Sequence, residues 1–152
     1  MKNLIDMKLS EHFTLAEMCK TSVKYKNVPN ETQVENLKRL CSWLEMLRGE
    51  WNCRYGEGDD PIIINSGFRS EAVNNVIGGM ATSNHLTGCA ADIHVASMEQ
   101  LIRYATILLD ISDNSREDFD ELLLEYSPRG GYWLHFAVRL KGNRRKVRLI
   151  QA

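Results

Sequence analysis

Apolar residues recur at helical spacing over one long stretch: Val34, Leu37, Leu40, Cys41, Leu44, Leu47 and Trp51. Residues three and four apart share a helix face, so this stripe predicts an amphipathic helix from about 31 to 51. Asn30-Glu31-Thr32-Gln33, just after Pro29, has the form of a capping box, in which two side chains satisfy each other's free backbone N–H groups. Ser97-Met98-Glu99-Gln100 repeats that form. It predicts a helix through about Asp110 with Leu101, Ala105, Leu108 and Leu109 inward. Two shorter helices are expected, one after a Thr14 cap with Phe13 as its staple, the other after Ser70 through Asn74 and Val76. Gly78-Gly79 closes the second, because glycine readily takes the left-handed backbone of a helix end.

Elsewhere the pattern is that of strands. Pro61–Asn65 and Ala91–Val95 are short and β-rich; Phe119–Tyr126 and Tyr132–Val138 are longer, and a last strand falls near 145–150. Ser127-Pro128-Arg129-Gly130-Gly131 has the turn residues and length of a hairpin connection. Helices cluster early and strands late, which predicts an α+β fold with a mainly antiparallel sheet and helices packed on it.

A length of 152 residues suits a single domain, 1–152, and the composition of 43% hydrophobic and 26% charged residues is that of a globular chain. A net charge of −1 gives no field favouring nucleic acid or an anionic bilayer, and neither is expected as a partner. The basic stretch Lys141–Arg148 alternates in a way that reads as the solvated face of a terminal strand. The N-terminal MKNLIDMKLSEHF has no apolar core of a Sec signal, and no apolar run approaches the roughly 20 residues of a membrane span. Cys19, Cys41, Cys53 and Cys89 form no CxxC pair and read as reduced, mostly buried thiols of a chain made in the cytoplasm.

Two short stretches carry candidate chemistry: SNHLTGCAAD at 83–92 and WLH at 133–135. His85 and Asp92 bracket Gly88 and the small pair Ala90-Ala91, which leave room beside an ion. Asp92 enters one predicted strand, and His135 lies in another, where Trp133 and Ala137 share its face. Two imidazoles and a carboxylate suit zinc, and three protein ligands leave a fourth position for water. A globular domain with no metal is the plain alternative. His12 reads as structural or exposed, His94 as structural or as supporting a ligand from behind, and Cys89 as buried filler.

The whole pattern, Ser83-x-His85-x-x-Gly88-x-Ala90-x-Asp92 preceded by Ser66-Gly67-Phe68-Arg69-Ser70 and followed by Trp133-x-His135, resembles the zinc peptidases of the hedgehog/DD-peptidase fold. These include bacterial D-Ala-D-Ala carboxypeptidases and phage L-alanyl-D-glutamate endolysins. Ser10-Glu11-His12-Phe13-Thr14-Leu15 and the helix end at Leu47-Arg48 look like the compact single-domain branch, and the likeness runs from about residue 9 to 139.

The resemblance implies His85, Asp92 and His135 as zinc ligands, Arg69 as the arginine holding a substrate carboxylate or carbonyl, and Ser83 on the substrate side. Trp133, whose indole is no ligand, reads as packing against the site as one wall of the substrate groove. Many relatives carry an acid three residues before the last histidine, where this chain has Tyr132. Phe119-Asp120-Glu121-Leu122-Leu123-Leu124-Glu125 fits the compact branch's FDxLxxE form, which implies Glu125 as the base, with Glu121 in reserve. The function so implied is hydrolysis of peptidoglycan stem peptides by a monomer, as a D-Ala-D-Ala carboxypeptidase or an L,D-endopeptidase. Lacking a signal, it would reach the cell wall as a phage or prophage lysin released through a membrane lesion, or act as a cytoplasmic peptidase. The rival is a zinc-stabilised cell-wall or protein binding module that keeps the fold without turnover.

Overall fold

A computed structural model describes residues 7–152; residues 1–6, part of the stretch read for a signal, lie outside the described residues. Leu15–Met18 (α1) is a single turn in which Thr14 accepts from the Glu17 N–H. The long helix Glu31–Arg54 (α2) begins at a complete capping box: Gln33 N–H donates to Asn30 Oδ1 and Asn30 N–H to Gln33 Oε1, both at 2.8 Å. Its buried stripe of Leu37, Leu40, Leu44, Leu47 and Trp51 is the one expected from spacing. Trp43 joins it.

Ile64–Ser66 (β1) starts later than expected, since Pro61 has no N–H to donate and the register with the next strand shifts between Ile64 and Ser66. Glu71–Ile77 (α3) is capped by Ser70 and ends at Gly78, whose φ of 82° is left-handed. Ala90–His94 (β2) precedes Met98–Ser115 (α4). The second capping box is only half formed, because Ser97 accepts from Gln100 N–H but the Gln100 side chain takes the N–H of Ala96. The helix also outruns its expected end, with Ile107, Leu108 and Ile111 buried and Leu109 only half-buried.

Glu121–Tyr126 (β3) and Tyr132–Ala137 (β4) form the expected hairpin, and Lys146–Gln151 (β5) completes a five-stranded sheet of order β1-β2-β4-β3-β5. The sheet is α+β in character but mixed. Three pairings are antiparallel, while β3 and β5 run parallel. The cause is connectivity. Residues 138–145 carry the chain from the end of β4 past the start of β3, so β5 starts beside Glu121 and runs the same way as β3.

Strand alternation gives the sheet two chemically distinct faces. Ala91, Ile93, Leu122, Leu134 and Phe136 are buried in the core shared with α2 and α4, where Trp43 packs on Phe136 at 5.4 Å between ring centroids. Each such fully buried aliphatic or aromatic side chain contributes about 1.5–3 kcal/mol. Asp92, Glu121, Leu123, Glu125, Trp133 and His135 have the opposite parity and line a cleft. All four cysteines are free; Cys53 is exposed, against expectation, whereas burial pushes the Cys41 thiol up to about 12. Among the described residues no helix is long and apolar enough to cross a membrane.

Candidate metal centre

His85 sits in a single 3-10 turn, Asn84–Thr87, between two fixed points. The Ser83 hydroxyl accepts from the His85 N–H at 3.2 Å, and Gly88 ends the turn at φ 78°. A Cβ on Gly88 would lie 2.6 Å from the carbonyl oxygen of Gln33, so only glycine lets the turn press against α2. Gln33 and Asn36 of α2 then donate to the carbonyls of Leu86 and Thr87. Gly67 is equally constrained, since a Cβ there would meet the Met18 carbonyl oxygen, which already accepts from Phe68 N–H at 2.7 Å.

The Gly67 carbonyl decides the state of His85. It lies 2.7 Å from Nδ1, and a carbonyl only accepts, so Nδ1 carries the proton and Nε2 presents its lone pair inward. Nε2 faces Asp92 Oδ2 at 3.5 Å. From the other side His135, the direct cross-strand partner of Asp92, brings Nδ1 to 3.1 Å from Asp92 Oδ1. Its Nε2 lies 3.0 Å from Glu121 Oε1. One ligand atom from each of His85, Asp92 and His135 lies within 4.8 Å of the others, and both histidines are buried.

The donor set fits a divalent ion. Each imidazole has an acceptor on its outer nitrogen, the arrangement that orients metal-binding histidines and raises their basicity. Charge tells the same story. Burial alone would raise the Asp92 carboxyl, yet hydrogen bonds and charge from His135 and His85 hold it well below the usual carboxylate range. Burial likewise disfavours a charged His135, but Asp92 and Glu121 outweigh it and push the imidazole up to about 9. The pocket is built for positive charge at the point where the three side chains meet.

The two candidate bases occupy different environments. Glu121 accepts from His135 and, at 2.6 Å, from Asn84 Nδ2. The His135 hydrogen bond, against the cost of burial, keeps its carboxyl below the ordinary value. Glu125 is half-buried, and burial followed by the charge of Asp92 raises its carboxyl. Trp133 Nε1 donates to Glu125 Oε2 at 2.6 Å, leaving Oε1 without a protein partner among the described residues. Two carboxylates whose environments push them apart are suited to different work: Glu121 to fixed charge, Glu125 to proton transfer. Tyr132, at the place where an acid was sought, lies three positions from His135 and so on the other sheet face, against the core.

Arg69, which lines the cleft, donates through Nε to Ser66 Oγ and through Nη2 to Asp92 Oδ2, each at 3.1 Å, and Nη1 has no protein partner among the described residues. Ser83 lines the same cleft of about 520 Å³. His94 shares the sheet face but is exposed and outside the ligand cluster, as is buried Cys89. His12 is tied to Glu45 by Nδ1 at 2.6 Å, a structural contact.

Residues the sequence reading passed over complete one end. Asp120 is fully buried and grips Arg144 through two parallel hydrogen bonds at 3.0 and 2.8 Å. Asn84 links Asp120 and Glu121, and Arg139 donates to Asn84 Oδ1 at 2.9 Å. Arg144 and Lys146, read from sequence as part of a solvated strand face, also line the cleft; Arg144 and Arg148 are exposed as expected, and Lys146 is half-buried. The signal was Asn84 inside the histidine motif and Asp120 beside a buried phenylalanine, each a polar residue where burial demands a partner.

An α+β scaffold that converges two imidazoles and a carboxylate on one face of its sheet defines a candidate metal-binding enzyme. The family model described as Peptidase M15 matches residues 11–111, and the chain belongs to that family. Over 44 residues it is 46% identical to the zinc D-Ala-D-Ala carboxypeptidase of Streptomyces albus G, covering 29% of this chain and 17% of that relative. The match to the family model includes Arg69, His85 and Asp92; Glu121, Glu125 and His135 lie beyond it and reach them through strand pairing.

Proposed function

We propose that this chain is a zinc-dependent peptidase hydrolysing peptidoglycan stem peptides, as a D-Ala-D-Ala carboxypeptidase or an L,D-endopeptidase. One observation carries the reading: His85, Asp92 and His135 meet within 4.8 Å in a cleft that also presents Glu125 and Arg69. Bound zinc would supply Lewis acidity, polarising a carbonyl and acidifying water. The chain's own residues do the rest. Glu125, with Oε2 held by Trp133, takes the proton of the attacking water at Oε1 and hands it to the leaving amine; its raised carboxyl pKa brings it closer to both partners. Arg69, anchored by Ser66 and Asp92, offers Nη1 to a substrate carbonyl or carboxylate, a planar donor suited to oxygen acceptors. Ser83 and Trp133 shape the walls on either side of the scissile bond.

The same reading has one unit, 1–152, acting as a monomer, made in the cytoplasm and delivered to the wall as a phage or prophage lysin. Zinc-loaded protein incubated with muropeptides should release D-Ala or split the stem peptide, with the products identifying the bond. His85→Ala should release nothing. A zinc-saturated chain that cleaves no cell-wall peptide would leave the non-catalytic binding module as the better account.

A further inference from the structure

We propose that the end of the cleft formed by Arg139, Arg144 and Lys146 is a receptor for a second substrate carboxylate, separate from the group held by Arg69. The proposal rests on the peptidase reading for its substrate class, acidic stem peptides, and on independent geometry for its place.

Two of these cations are held from behind. Buried Asp120 takes Nε and Nη2 of Arg144, and Asn84 Oδ1 together with Asp120 takes only Nε of Arg139. Among the described residues neither Nη of Arg139 nor Nη1 of Arg144 has a protein partner. The Lys146 ammonium forms no ion pair among them either. That is unexpected from topology, because Lys146 stands directly opposite Glu121 in the β3–β5 register. Glu121 is already committed to His135 and Asn84, with Arg144 at 3.8 Å. Three cations thus face the cleft with donors to spare, on rigid supports, one carboxylate away from His135.

Such an arrangement suits an anion with two oxygens. The outward guanidinium edge can take a carboxylate in parallel hydrogen bonds, while the ammonium adds charge without directional demand. The acids facing these groups are Asp120, which is occupied, and Glu121, which is turned to His135. Among the described residues Glu125 and Trp133 form no ion pair with an arginine or lysine. A peptide crossing the metal point would therefore be oriented by its acid groups, and association would weaken as salt rises.

The test uses the zinc-loaded full chain and three stem peptides: one with a free carboxylate branch beside the scissile bond, one with that branch amidated, and one with the branch free but the chain terminus amidated. Cleavage of the acid peptide should exceed that of its branch amide by about tenfold or more, as loss of charge-assisted hydrogen bonds requires. Lys146→Gln and Arg139→Gln should each shrink that preference by raising KM for the acid peptide. Lys38→Gln, which removes an exposed cation of α2 outside the cleft, should leave it intact. A loss on amidating the terminus alone, unchanged in Lys146→Gln, assigns that carboxylate to Arg69 and overturns the receptor.

Calorimetric binding of the same peptides needs no turnover and separates the two readings. Tighter binding of acid than amide peptide, abolished in Lys146→Gln, supports the receptor even if nothing is cleaved, which would sink the peptidase reading alone. Equal binding and cleavage of all three peptides, or a preference for acid that survives both substitutions, overturns the receptor and leaves the peptidase reading standing.

Discussion

His135 donates from Nε2 to Glu121 Oε1 across 3.0 Å, so the carboxylate selects the imidazole nitrogen that faces Asp92. Removing it should weaken zinc binding without touching a ligand. Glu121→Ala is expected to lose about 10- to 100-fold in affinity, and Glu121→Gln, whose amide oxygen still accepts, at the low end of that range. Competition with a chromophoric chelator measures both. Unchanged affinity in Glu121→Ala would mean that the hydrogen bond does not orient the ring.

Glu125→Gln should show the converse. It keeps one zinc per chain by elemental analysis and loses about 10²- to 10⁴-fold in turnover, the usual span for a positioned acid–base group. Turnover retained in this variant would send the search for the base back to Glu121.

In the proposed zinc peptidase, metal binding would displace a proton from His135. The free imidazole sits near 9, raised by Asp92 and Glu121 against the opposing effect of burial. Below that pH the ring is protonated and competes with the metal; above it the competition ends. Affinity should therefore rise about tenfold per pH unit through neutrality and level off near pH 9. Calorimetry in buffers of different ionisation enthalpy should count about one proton released by this ring at pH 7. A flat affinity between pH 6 and 8 would contradict the pairing.

Asp120 should make stability fall in acid. Burial alone would raise its carboxyl from 3.8, but hydrogen bonds from Arg144 and Asn84, with the charge of Arg139, pull it down to about 2. A carboxyl lowered on folding stabilises fully above its unfolded value. That contribution fades as pH drops through 3.8 toward 2 and is gone below both values. About 2 kcal/mol is at stake, from roughly two pKa units. Urea unfolding between pH 7 and 2 measures it, and Asp120→Asn should flatten the profile in that window.

The helices were readable because each carries its own instructions: a capping pair at Asn30 and Gln33, a stripe of leucines, a glycine at 78. The clustering of the two histidines with Asp92 was readable for a similar reason, since His85, Gly88 and Asp92 form a local motif and period-two spacing places His135 with Trp133. The parallel β5 was not, because its direction follows from which sheet edge the chain reaches after residue 138. Nor was the cationic end of the cleft. Asn84, Asp120, Arg139, Arg144 and Lys146 lie in three separate segments and share a network only once β3, β4 and β5 are aligned. Tyr132, where many relatives carry an acid, packs against the core by strand parity, and Glu125 of β3 stands in the cleft instead.

Asp92 and His135 are paired across β2 and β4 residue for residue, so alignment of those strands is itself the assembly of the centre. Sliding β4 by a single position would send the imidazole into the hydrocarbon interior and offer Leu134 or Phe136 in its place. In the proposed zinc peptidase, metal capture would therefore report on the fold: a chain that mispaired its strands would keep its helices and forfeit the ion. For anyone mutating the region, retained zinc will report correct strand alignment more sharply than helical content can.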